Sequence, residues 1–185
     1  MTGSRPSHPR HADVAITAPT IDALSAIRYV HAQALRRAAG DWASDEAITA
    51  YVAHIYSPLY ATGVEAAIRS QRLFGAHIDG RLVGTCGWSP NDDDTSVARV
   101  RWCHVEPMFA GMGLGAALLT HAESEAEAAG HASLVARSTP NAAAFFERFG
   151  YGITAHGTRN IGPKFSLPVT FLRKHLRAPS MPAPF

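Results

Sequence analysis

Apolar residues recur at helical spacing in the first third of the chain and fall into short extended runs through most of the rest. Leu24, Ile27, Val30, Ala34 and Leu35 share one face of a helix over residues 23–39, with Thr20-Ile21-Asp22 as its cap and Gly40 as its end. Ile48, Tyr51, Val52 and Ile55 mark a second helix behind the cap Ser44-Asp45-Glu46, and Pro58 predicts its stop. Residues 73–78 and 81–88 flank Asp79-Gly80, a strong hairpin signal, and the turn at 91–94 leads into a strand over 97–105. A long helix is expected from Gly113 to Ala129, with Leu114, Ala117, Leu118 and His121 inward, Glu123, Glu125 and Glu127 mostly outward, and Gly130 as its stop. Further strands are expected at 14–16, 133–137, 151–156 and 167–173, with a short helix at 141–149. The order is strand, two helices, three strands, helix, strand, helix, two strands, which predicts a layered α/β domain.

Composition narrows this picture. The chain has 185 residues, which suits one domain, here drawn over 13–177 between a flexible tail at 1–12 and a Pro-rich tail at 178–185. Apolar residues reach 46% and charged residues only 17%, against about 25% in an average soluble protein, which excludes a disordered chain. The formal net charge of +2 argues against a dedicated nucleic-acid binder. Cys86 and Cys103 lie in apolar segments, and no Cys or His spacing suits zinc, so two buried thiols and no metal are expected. No apolar run approaches the roughly 20 residues of a membrane span. The N-terminal segment has no signal-peptide core, so the expected location is the cytoplasm.

Chemistry concentrates in residues 97–151. A strand ends at Val105-Glu106-Pro107, a glycine-rich turn follows (Ala110-Gly111-Met112-Gly113-Leu114-Gly115), and a helix begins inside that turn. A helix N-terminus leaves N–H groups unpaired, and glycines strip away Cβ atoms, so a large anion such as pyrophosphate can approach the backbone. A tight turn packed on the sheet would use the same glycines. Two phosphate motifs are excluded. The Walker loop needs Lys then Ser or Thr after the last glycine, where Ala116-Ala117 stands. The dinucleotide fingerprint has different spacing and follows a first strand of a parallel unit rather than an antiparallel hairpin.

The run Val105-Glu106-Pro107-Met108-Phe109-Ala110-Gly111-Met112-Gly113-Leu114-Gly115-Ala116-Ala117-Leu118-Leu119 resembles motif A of the GNAT N-acetyltransferase superfamily. Residues 138–151, from Ser138-Thr139-Pro140-Asn141 to Phe149-Gly150-Tyr151, are similar to its motif B, and the hairpin Asp79 to Gly84 and the closing Leu172-Arg173-Lys174 also fit. The resemblance covers about Val14 to Leu176. It implies a GNAT fold: a mixed, mostly antiparallel sheet of six or seven strands, flanked by about four helices and split between the fourth and fifth strands. It also implies an acetyl-CoA-dependent N-acetyltransferase, acting on a primary amine of a small molecule or protein by direct attack, as a monomer or homodimer with no nucleic-acid or membrane partner. The alternative is a GNAT-fold domain that holds acyl-CoA as a sensor with little or no turnover.

By the same resemblance the cofactor contacts are the backbone of Cys103, His104 and Val105, the loop Ala110, Gly111, Met112, Gly113, Leu114, Gly115 and Ala116, and then Asn141, Phe145 and Phe146. Asn141 has an equal claim to cap the next helix. Three positions depart from the family pattern. Ala110 replaces a polar loop residue. Phe146 stands where a Tyr often protonates the leaving thiolate, and Tyr151 is a poor substitute. Arg99 and Arg101 occupy strand positions where Glu or His often serves as base, and a guanidinium cannot do so. An alkylamine is only about 0.1% neutral near pH 7, so a deprotonation route matters. His104 and Glu106 are the catalytic candidates, with His156 weaker. Two uses fit Arg99 and Arg101: forked hydrogen bonds to a carboxylate or phosphate on the substrate, or surface ion pairing with Asp92–Asp94.

Overall fold

One sheet of seven strands, in the order β1-β2-β3-β4-β5-β7-β6, organises the chain. The computed structural model describes residues 14–40, 42–162 and 164–176, so the tails expected at 1–12 and 178–185 lie outside the described residues. The strands are β1 (Val14–Thr17), β2 (Leu73–Ile78), β3 (Arg81–Asn91), β4 (Asp94–Val105), β5 (Ser133–Ser138), β6 (Gly152–Ile161) and β7 (Phe165–His175). The helices are α1 (Leu24–Ala38), α2 (Asp45–Ile55), α3 (Pro58–Arg69), α4 (Leu114–Ala128) and α5 (Ala143–Arg148). Every strand pair is antiparallel except β4 with β5. The hairpin turn behaves as its sequence demands: Asp79 and Gly80 both take positive φ, 50° and 77°. Among the described residues no helix is long and apolar enough to cross a membrane.

Two expectations need correction. Pro58 does not merely stop a helix. Ser57 caps a third one, its hydroxyl accepting from the Tyr60 N–H at 3.2 Å, and Pro58 fills the first helical position, where no N–H is needed. The described residues therefore hold five helices rather than four. On α4 the buried stripe runs Leu114, Leu118, Leu119, Ala122, Glu123 and Ala126, whereas Ala117 is exposed. Glu123 is thus inside rather than outside. Its Oε2 accepts from Lys174 Nζ at 2.5 Å, and that pairing with β7 makes its burial tolerable.

The helices divide between the two sheet faces. The largest core lies on the α4–α5 face, where Leu118, Leu119, Ala122, Phe146 and Tyr151 meet Ala76, Val83, Cys86, Ala98, Leu134 and Leu172. Cys86 is buried, as expected, while Cys103 beside it is only half-buried. The other face is covered by α1, α2 and α3 through smaller clusters centred on Ile27, Val64 and Leu73, on Leu35, Ile48 and Ile55, and on Ile161 and Leu167.

Candidate active site

The strand β4 changes phase at one residue. Thr85 of β3 pairs with His104 and Gly87 with Arg101, so two steps on β3 face three on β4. The surplus residue makes a bulge, and Trp102 adopts φ 53° there, a left-handed conformation that costs a bulky residue about 1–2 kcal/mol. The phase change fixes which side chain points where. Val100, Cys103 and Val105 pack toward the α4 core, while His104 faces α1 on the same side as Arg101.

Beyond the bulge the sheet opens. Pairing between β4 and β5 is confined to Val97, Ala98 and Arg99 with Ser133, Leu134 and Val135. Past that point β5 stays with β7 through Ser138, and residues 100–105 of β4 keep only β3 as a neighbour. At the mouth of this gap lies the glycine loop. Gly111 and Gly113 take φ 81° and 79°, and a Cβ added at either would have no other atom within 4 Å. The loop therefore needs glycine for its conformation, and its surface is open backbone. None of the backbone N–H groups from Gly111 to Ala116 pairs with another backbone group, and Gly113 caps α4 with no side-chain help. Across the gap, a Cβ at Gly115 would lie 3.5 Å from the Phe145 ring, so α4 and α5 meet at that point.

The sequence model of the Acetyltransferase (GNAT) family matches residues 33–151, more than half of the chain. The chain belongs to the GNAT acetyltransferase family. No curated protein sequence matches it significantly. Its fold is similar to a GCN5-related N-acetyltransferase from Rhodopseudomonas palustris, at 22% identity and TM-score 0.75, covering 92% of this chain and 100% of that one. It is also similar to the PaiA N-acetyltransferase from Thermoplasma acidophilum in complex with coenzyme A, at 18% identity, TM-score 0.70, and 89% and 99% coverage. A third likeness is to a ribosomal-protein-alanine N-acetyltransferase from Brucella melitensis, at 20% identity, TM-score 0.65, and 88% and 99% coverage.

In this GNAT domain the candidate residues separate by role. Glu106 is buried, and Arg81 NH2 donates to both of its oxygens, at 2.5 and 2.7 Å. Read from sequence as a candidate base, it instead anchors the start of the glycine loop to the β2–β3 hairpin. Asn141 caps no helix of its own; its Nδ2 donates to the Ala38 carbonyl at the end of α1, at 3.0 Å. Phe146 is a core residue packed edge-on against Tyr151, while Phe145 is half-buried and borders the gap. Tyr151 is 2% exposed, and Lys174 Nζ lies 5.6 Å from its ring centre. Leu114 turns its side chain into the core, leaving only its backbone to the loop, and Ala110 and Met112 are exposed. His156 pairs across β7 with Thr170 and is exposed.

His104 sits against a residue that sequence reasoning passed over. Its ring lies 4.5 Å from that of His31 on α1. The Thr85 hydroxyl donates to the Trp102 carbonyl, freed by the bulge, at 2.7 Å. Thr85 Oγ1 must then accept from His31 Nε2, also at 2.7 Å, which leaves His31 Nδ1 to accept from the Tyr60 hydroxyl at 2.7 Å. This order is that of the neutral imidazole. Burial, and secondarily His104, hold the His31 pKa well below its ordinary value. Burial likewise pushes His104 down to about 4. The signal for His31 was present in the sequence: it lies four residues after Ile27, on the buried stripe of α1.

The two strand arginines also part company. Arg99 NH2 donates to Asn91 Oδ1 at 2.5 Å and lies 3.9 Å from Asp93, so it is engaged at the hairpin turn. Arg101 instead rests over the Trp102 ring at 4.9 Å and has no carboxylate partner among the described residues. No group of three or more His, Cys, Asp or Glu in metal-binding proximity occurs among the described residues.

Proposed function

We propose that this domain is an acetyl-CoA-dependent N-acetyltransferase that acylates a primary amine by direct attack. The observation that carries the reading is the pairing of an open β4 edge with a loop of unpaired N–H groups at its end. That combination fits a long thioester with a pyrophosphate. The backbone of Cys103, His104 and Val105 lines the slot, and the N–H groups from Gly111 to Ala116 suit the phosphates, helped by the positive end of α4. Phe145 closes the slot from α5.

Acetyl-CoA supplies an activated acyl carbon: the acceptor ammonium first loses a proton to solvent, the neutral amine nitrogen then bonds to the acyl carbon, the C–S bond breaks, the nitrogen releases a second proton, and CoA departs as a thiolate that takes up one. The residues of the chain prepare this chemistry rather than store protons. Held at about 4, the His104 pKa keeps the imidazole neutral across the physiological range, so it accepts a hydrogen bond from the amine and orients its lone pair. A free thiol has a pKa near 8.5, so the thiolate leaves without a Tyr at position 146.

A second reading, an acyl-CoA sensor, is favoured by one observation: Glu106 and Phe146 both serve the fold. Thiol release separates the two. With acetyl-CoA and a panel of amines, the enzyme reading expects free CoA thiol above the hydrolysis background. Binding of CoA with no thiol release for any amine overturns it in favour of the sensor. Gly113→Glu places a bulky anion at φ 79° in the loop, and calorimetry should find CoA binding abolished. Unchanged affinity would refute the loop assignment for both readings.

A further inference from the structure

Strand register gathers arginines on the face of the sheet opposite α4. Arg101 lies there on β4, past the last β4–β5 pair. Arg137 follows Val135 by one pleat on β5 and pairs with Phe171 of β7, whose odd-numbered neighbour Leu167 pairs with Arg159 of β6. Leu167 packs in the cluster under α2, which fixes that face as the α2 side. Arg159 is steered further by α2 itself: NH1 donates to the Tyr51 hydroxyl at 2.6 Å, NH2 approaches His54 Nε2 at 3.4 Å, and the guanidinium lies 5.0 Å from the Tyr51 ring centre.

These three differ from the other arginines of the face. Arg99 is engaged by Asn91 and Asp93, and Arg173 lies near Asp94. Arg101, Arg137 and Arg159 have no carboxylate partner among the described residues. Arg101 and Arg137 also feel the third. Burial and then the charge of Arg159 lower the pKa of both Arg101 and Arg137, and the same two causes lower that of His54. Three guanidinium groups held together, two of them half-buried, repel one another unless an anion joins them.

We propose that Arg101, Arg137 and Arg159 form the acid-binding half of the acceptor site, so that the acceptor is a small amine that also carries a carboxylate or phosphate. This rests on the acetyltransferase reading above. The thioester slot opens on the α4–α5 face, and the arginines approach the same gap from the other face, beside His104. An acceptor entering there places its acid on the guanidinium forks and its amine toward the imidazole. The reaction converts the acceptor ammonium and acetyl-CoA into an amide, free CoA thiol and one proton, and the acid group is untouched.

The test uses matched pairs, phosphoethanolamine against ethanolamine and β-alanine against propylamine, with the full chain. Two readouts are taken: thiol release with acetyl-CoA, and calorimetric binding of each compound with CoA present. The acidic member of at least one pair should show kcat/KM and affinity about 10- to 100-fold higher than its neutral counterpart. Which pair responds distinguishes phosphate from carboxylate. Arg101→Gln and Arg137→Gln should each raise the KM for that acid about tenfold, with the KM for acetyl-CoA unchanged. Arg137 is exposed and makes no side-chain hydrogen bond among the described residues, so its variant tests the site even where Arg101→Gln fails to fold. Acid binding that Arg137→Gln abolishes, with no thiol released from any amine, upholds the arginine site and overturns the enzyme reading. Equal binding of acidic and neutral members, or variants that bind the acid as the native chain does, overturns the proposal.

Discussion

His31 and His104, whose rings meet at 43° between α1 and β4, give the fold a sensitivity to acid. Both have folded pKa values below the ordinary 6.5 because burial penalises the charged ring. As pH falls through 6.5 the unfolded chain takes up protons that the folded one refuses. Stability is therefore fully present above that value and is lost progressively as pH falls toward about 4, where His104 itself titrates. For His104 alone the loss amounts to roughly 3 kcal/mol. Urea unfolding at pH 7 and pH 4.5 should show this drop, and His104→Asn should remove a large share of it. Parallel pH profiles for native chain and variant would show that His104 is not the source. At this scale the sequence was only partly legible. The glycines of the loop announced themselves because positive φ demands them. The engagement of Glu106 did not, because its partner Arg81 is 25 residues upstream and only the hairpin register brings the two together.

Elements were more readable than their edges. The Asp79-Gly80 turn, the Ser44 cap and the Gly130 stop all lie where the side chains require them, because each acts over a few residues of chain. The bulge at Trp102 escaped, since nothing local marks a non-glycine residue for positive φ; the surrounding ladder and the Thr85 hydrogen bond hold it there. Pro58 suggests an end because proline fits a helix only at its first turn, yet Ser57 just before it is the sign of a beginning. The junction of β4 with the glycine loop offers an element-scale prediction. Arg81→Met leaves the buried Glu106 carboxylate unpaired and should destabilise the chain by roughly 2 kcal/mol. The double variant with Glu106→Gln should recover part of that loss. Denaturation of the native chain, both single variants and the double variant measures the coupling, and simple additivity would mean that the ion pair contributes nothing at this joint.

At the scale of the whole molecule, strand order was the part that sequence could not give. Consecutive strands usually lie side by side, yet β7 inserts between β5 and β6. That choice places Arg159 and Arg137 on one face, although 22 positions separate them and neither carries a motif. The narrow joint between β4 and β5 has a further consequence, which is mechanical. Residues 14–105 form one leaf of four strands and residues 133–175 another of three, and the sheet joins them by three residue pairs. The chain crosses between the leaves once, by way of α4, whose apolar stripe packs on both. A break at the exposed Gly130 would sever that single crossing while leaving each leaf's own hairpins whole. Co-expressed fragments 1–130 and 131–185 should therefore assemble into a pair that co-purifies, through α4 against Leu134 and Leu172. Fragments that stay apart would show that the leaves depend on the covalent tether. The two leaves are in this sense held by packing, through α4 on one face and α2 on the other, more than by the chain that links them.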